Sequence, residues 1–215
     1  MATRFYLPSS GAAAVNPGFA AWDETASADR IRCVTTKSST AMVSKTVAKG
    51  TGATRALVRQ YVSDPIEAQT IAAGTIKGQI RALESATNDN LDLVPICVKV
   101  YSNDGSTLRG TILALGDYVA VLEFGTALTN RKIADGDATS SVVASDGDRI
   151  VIELGHKNST VGTSVSGDLN FGDNSATDLL ENTTDTAANN PWVELSVTIT
   201  FKAAAAFNPL ALAGD

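Results

Sequence analysis

The sequence predicts an all-β protein, a sandwich or barrel of about eight to ten short strands. Three observations carry this. Short runs alternate apolar and polar residues with period 2. Turn sequences rich in Gly, Asn and Asp bound those runs. No stretch keeps an apolar stripe of period 3.6 long enough for a helix of ordinary length.

Residues 1–29 mix Pro, Ala, Ser and Gly with isolated aromatics and read as an extended N-terminal arm. Such a segment cannot build a core of its own, yet Phe5, Tyr6, Leu7, Phe19 and Trp22 need cover from water. They are the candidate interaction residues, lying on the same domain or on a neighbouring subunit. A sandwich domain over residues 30–202 follows, then an apolar tail over 203–215 with Phe207, Leu210 and Leu212. Short strands are expected at Arg30–Thr35, Met42–Val47 and Ala56–Val62. Asp64-Pro65-Ile66-Glu67 combines an N-cap, a Pro at the first helical position and an acid, which predicts one turn of helix.

GTIKGQIRAL places Ile76, Gly78, Ile80 and Ala82 on one face and Lys77, Gln79 and Arg81 on the other. LVPICVKVY is the next strand, with Pro95 marking an edge or a bulge. Asn103-Asp104-Gly105 is a strong turn, so TLRGTILAL returns as the partner of a hairpin across Ser102–Thr107. Tyr118–Phe124 is a further candidate. After the Asp146-Gly147 turn, Ile150, Ile152 and Leu154 point inward and Val151 and Glu153 outward. Thr163–Phe171 and Trp192–Phe201 complete the set, the second being the cleanest alternation in the chain.

The chain has 215 residues, 44 % hydrophobic and 19 % charged, enough for one sizeable core. Its net charge of -6 argues against nucleic acid, whose phosphates call for Lys and Arg, and against an anionic membrane surface. No apolar run approaches the roughly 20 residues of a membrane span. The opening MATRFYLPSSGAAAVNPGF lacks the basic region and apolar core of a secretory signal, so the Asn158 and Asn182 sequons carry no weight. Cys33 and Cys97 both sit in alternating apolar runs and are expected to be reduced and buried.

The chain offers little for catalysis, and the expectation is that it is not an enzyme. His156 is its one histidine, which rules out a zinc site of three histidines, and GHKN reads as an exposed turn. No G-x-S-x-G elbow is present, and GTSVSG at Gly162–Gly167 has the wrong spacing. In KGTGATR, Lys49 precedes the glycines, whereas a phosphate loop needs its lysine after them. Paired carboxylates of a glycosidase call for aromatic platforms, and aromatic content is 6 %. The acidic stretch Phe171–Leu195 supplies Asp173, Asp178, Glu181 and Asp185 as candidate calcium ligands. Their spacing is irregular and no Gly makes a tight wrap, so a long connection that touches a partner is the preferred reading, with no cofactor required.

In order along the chain, FYLPSSGAA, the Trp of FAAWDETASADR, GTIKGQIRALES, VYSNDGSTLRGTIL, DGDRIVIELGHK and LNFGDN…NPWVELS form a succession. It resembles a group of largely uncharacterised structural proteins of tailed bacteriophages, over roughly Arg4 to Phe201. The resemblance implies a jelly-roll-like antiparallel β-sandwich with a role in the virion. It brings no catalytic residues. The expectation is therefore a capsid decoration or cement protein, assembled in the host cytoplasm. Its partners would be the major capsid protein or other virion proteins, and it would form a homo-oligomer, taken as a trimer. Arm apolars would be buried on adjacent subunits. The alternatives are a collar or tail accessory protein, or a carbohydrate-binding module using Tyr61, Tyr101 or Tyr118 as stacking platforms.

Overall fold

Period-2 alternation becomes extended backbone along the whole chain. The computed structural model describes residues 1–52, 54–119, 123–158, 164–174, 177–181 and 185–203. Those residues hold no helix and fourteen strands. They are β1 (Thr3–Tyr6), β2 (Asp29–Arg32), β3 (Val43–Lys49), β4 (Ala56–Val62), β5 (Gln69–Ile71), β6 (Thr75–Glu84) and β7 (Leu91–Leu93). After these come β8 (Ile96–Tyr101), β9 (Leu108–Gly116), β10 (Thr129–Ala138), β11 (Val142–Ala144), β12 (Arg149–Asn158), β13 (Val165–Phe171) and β14 (Trp192–Leu195).

Strand β6 organises the first six-stranded sheet, ordered β1-β14-β6-β13-β3. Along one edge of β6, β14 pairs with Ile76–Gln79 and β13 with Arg81–Glu84, while β10 runs along the opposite edge. Gly78 sits where a Cβ would come within 2.9 Å of the Trp192 carbonyl, so the close approach of β14 needs a glycine there. The second sheet is ordered β2-β4-β12-β8-β9, with β7 paired to the end of β12; only β2 and β4 run parallel. A small ladder joins β5 and β11. The two large sheets face each other across one apolar core. Phe5, Ile76, Ile80, Leu169 and Val193 come from the first sheet, and Val58, Val98, Val100, Ile150 and Ile152 from the second. Burial of each large side chain contributes on the order of 1.5–3 kcal/mol, which makes this layer the main stabilising element.

Residues 1–29 are not an arm outside this sandwich. Thr3–Tyr6 is edge strand β1, paired with β14, and Phe5 and Leu7 are fully buried in the core. Residues 11–24 then cross the outer face of the second sheet. Ala13 and Val15 pack there on Val62, Tyr101 and Val151. This cover explains why β12 is buried on both faces: Val151 and Glu153 point outward as the alternation requires, but they meet the N-terminal segment instead of water. The tail from residue 204 onward lies outside the described residues.

Other departures have local causes. No helical turn forms at Asp64–Glu67, because the Ile66 N–H donates to the Asp148 carbonyl and the Glu67 N–H to Thr200. The expected strand Trp192–Phe201 ends at Leu195. Beyond it, the Ser196 hydroxyl accepts from the Thr75 N–H, the Thr198 hydroxyl donates to the Met1 carbonyl, and the Thr3 hydroxyl accepts from the Ile199 N–H. Hydroxyls thus take the bonds a ladder would make. Pro95 separates β7 from β8. Tyr118, Val119, Glu123 and Phe124 are not in a strand, and residues 120–122 lie outside the described residues. Strand β10 was not expected: its Asp135-Gly136-Asp137 reads as a turn, and two register shifts break its alternation.

Gly155 is the tightest point between the N-terminal segment and β12. An added Cβ would run into the Ala56 carbonyl and come within 2.5 Å of the Trp22 ring. Gly155→Ala should lower stability by about 3 kcal/mol in urea titration. Gly18→Ala, whose Cβ would make only an ordinary contact 3.7 Å from the Tyr101 hydroxyl, should stay within about 0.5 kcal/mol of the parent. Equal effects at the two positions would contradict the packing described.

Candidate functional site

The densest polar cluster lies under the N-terminal segment and is built on Glu153. Its register opposite Gln60 of β4 puts the carboxylate on the outer face of β12, where it is fully buried. It accepts from the Trp22 indole Nε1 at 2.7 Å, the Ala20 N–H at 3.0 Å and the Gln60 amide at 2.9 Å, with Lys99 Nζ at 3.6 Å. Around it, Gln60 and Arg30 donate to the Pro17 carbonyl and Tyr101 to that of Gly18. The Arg30 guanidinium stacks 4.0 Å above the Phe19 ring. Further along, the Glu24 carboxylate takes the Thr54 hydroxyl at 3.0 Å and the Gly50 N–H, closing the segment onto the β3–β4 connection. A buried carboxylate is tolerated only when paired and hydrogen-bonded, and Glu153 meets both conditions with groups from three parts of the chain.

The five candidate interaction residues are thereby accounted for within one chain. Phe5, Leu7 and Trp22 are buried, and Phe5 meets Phe201 edge-on at 6.1 Å. Phe19 lies half-buried under Arg30, and Tyr6 donates to Asp178 at 3.1 Å. Phe5, Leu7 and Trp22 are thus buried on the chain itself, while Tyr6 and Phe19 keep part of their surface exposed.

The acidic stretch after β13 resolves into separate anchors. Asp173 is fully buried and accepts from the hydroxyls of Ser38 (2.8 Å) and Thr40 (2.6 Å) and from both backbone N–H groups, fixing the 38–40 turn. Asp178 meets Arg4 at 2.8 Å, Lys37 at 2.8 Å and Tyr6. Burial works to raise its pKa, but hydrogen bonds from Lys37, Arg4 and Tyr6 outweigh that and hold the carboxyl below the usual range. Glu181 pairs with Lys77 at 2.6 Å, and Asp185 accepts from the Ala187 N–H. Arg4 continues to Glu194 at 2.8 Å and lies 4.0 Å over the Trp192 ring, whose indole donates to the Leu179 carbonyl. Among the described residues no three His, Cys, Asp or Glu side chains converge in a way that could hold a metal ion.

His156 is not in an exposed turn. It lies within β12 with its ring wholly buried, and Nε2 is 2.8 Å from the Val47 carbonyl. Both cysteines are free and buried, with burial pushing the Cys97 thiol up to about 12. Tyr61 and Tyr101 are buried with their hydroxyls on the Pro8 and Gly18 carbonyls; Tyr118 is half-buried and bonded to Ala114. No open ring face is left at Tyr61 or Tyr101. Sequence reasoning missed the role of Glu153. The available signal was Val151, an apolar residue in an outward position of the same strand, which marks a covered face.

No protein-family model matches the chain, and no curated protein matches it. Two crystal structures of a CocE/NonD family hydrolase from Staphylococcus aureus are similar to it at 10% identity, with TM-scores of 0.32 and 0.29. Each covers 94% of this chain, which spans only 34% and 35% of theirs. The expectation that the chain is not an enzyme is corrected on this finding and withdrawn. At those TM-scores the likeness assigns no reaction to it either.

Glu153→Ala should cost about 3–5 kcal/mol, since it strands the Trp22 indole, the Ala20 N–H and Lys99 in a dry site. Glu153→Gln, which keeps an acceptor for Trp22, should cost about 1–3 kcal/mol. Urea titration with tryptophan emission reads both. An alanine variant within about 0.5 kcal/mol of the parent would contradict the clamp.

Proposed function

We propose that this chain is a structural protein of a tailed-bacteriophage particle, seated on the shell as a decoration or cement protein. The observation that carries this reading is the ordered succession of segments from FYLPSSGAA to NPWVELS, which resembles that group of virion proteins.

The contacts it makes in the particle differ from those first expected, because Phe5, Leu7 and Trp22 are used internally. Among the described residues, the large apolar groups left exposed for neighbours are Met1, Val143, 72% exposed, Leu180, 60% exposed, Leu108 and Val43. The sequence adds Phe207, Leu210 and Leu212 beyond the described residues. Burial of such groups between copies and against the major capsid protein supplies the adhesion, and several weak contacts acting together raise the stability of the shell. A homotrimer is the proposed unit.

Quantitative mass spectrometry of purified particles tests this. Copies comparable to the major capsid protein are expected. A few dozen copies or fewer would move the chain to the collar or tail, and its absence from the particle would overturn the virion reading.

A further inference from the structure

One buried imidazole stitches the two sheets together along their side. His156 belongs to β12 of the second sheet and faces inward, opposite Ala56 of β4. Its Nε2 lies 2.8 Å from the carbonyl oxygen of Val47, in edge strand β3 of the first sheet. A carbonyl only accepts, so Nε2 carries the hydrogen and Nδ1 is the bare lone pair of a neutral ring. That Nδ1 is buried and has no hydrogen-bond partner. Gly167 of β13 leaves room for the ring, since a Cβ there would already lie 3.3 Å from its Cδ2.

Protonation would put a second N–H, and a charge, where nothing accepts either. The charged groups facing the ring do not offset this. From β3, Lys49 adds a like charge, its ammonium held by the Gly50 and Gly52 carbonyls at 2.8 and 2.6 Å. From the N-terminal segment, Glu24 favours the charged ring but is already committed to Gly50 and Thr54. From β13, Asp168 favours it weakly, as the last of the contributions. On β12, Lys157 points to the other face and pairs with Asp117 at 2.6 Å.

We propose that His156 is an acid-sensitive latch: a proton on Nδ1 parts β3 from β12 and opens the sandwich along that side. Burial, first of all, pushes the ring's pKa down to about 4, against the opposing pull of the Val47 hydrogen bond. The open state binds the proton more readily, with a pKa near the usual value of about 6.5. The latch is therefore fully closed above about 6.5 and loses its hold as pH falls from there toward 4. The inference does not depend on the virion reading.

Hydrogen exchange of the full chain, corrected for intrinsic rates and compared between about pH 7 and about pH 4.5, tests it. Peptides over β3 should lose protection about fiftyfold as that strand leaves β13, while those over β6 keep theirs. His156→Gln, whose amide can donate to Val47 without titrating, should abolish the β3 response. An unchanged response in that variant, or simultaneous loss in β3 and β6, would overturn the latch. If the variant does not fold, NMR titration of the one histidine decides. A ring titrating well below about 6.5, with the Val47 amide shifting in step, supports it, and an ordinary value of about 6.5 sinks it.

Discussion

Much of this architecture depends on where the Glu153 carboxylate finds its partners. A charge in the dry layer between a sheet and a covering segment must be compensated, or the segment lifts off. Here the compensation comes from Trp22 and Ala20 of the N-terminal segment and from Gln60 and Lys99 of the flanking strands. That arrangement lets residues 11–24 cover Val62, Tyr101 and Val151, so β4, β8 and β12 are enclosed on both faces. The same stretch of chain begins as β1 at the edge of the first sheet, and the Pro8 carbonyl takes the Tyr61 hydroxyl and the buried Arg59 on the way. One segment thus runs across both sheets.

The first sheet shows the same economy of charge. Arg4 spans Asp178 and Glu194, Lys77 spans Glu181 and Glu194, and the Trp192 ring lies beneath both cations. These clusters pair residues of β1, β6 and β14 with the acidic connection that precedes β14. Exposed ion pairs of this kind add little stability individually; their effect is to set the path of the connection from β13 to β14.

The legible parts of the sequence were the strands whose two faces differ in polarity. Ala56–Val62 matches β4 end for end, and β3, β6, β8, β9, β12 and β13 fall where alternation put them. Strand β10 was hidden because its bulges and Asp-Gly-Asp mimic a turn. Which surface the N-terminal segment covers was not legible, because its anchor Glu153 lies 131 residues beyond Trp22 and, like Gln60, looks like a solvent-facing polar residue. The burial of His156 was hidden for a related reason: Gly155 in GHKN reads as a turn signal, but it lies within β12 and makes room for close packing. Local pattern reports which way a side chain points; whether water or another segment waits there is a tertiary fact.

The most direct measurement is thermal and urea unfolding of the chain lacking residues 1–24. If the N-terminal segment is part of the sandwich, the shortened protein loses cooperative unfolding, since β1, Phe5, Leu7 and the cover over Glu153 go with it. A shortened protein that unfolds cooperatively at the midpoint of the full chain would contradict the account and return residues 1–24 to the status of a detachable arm.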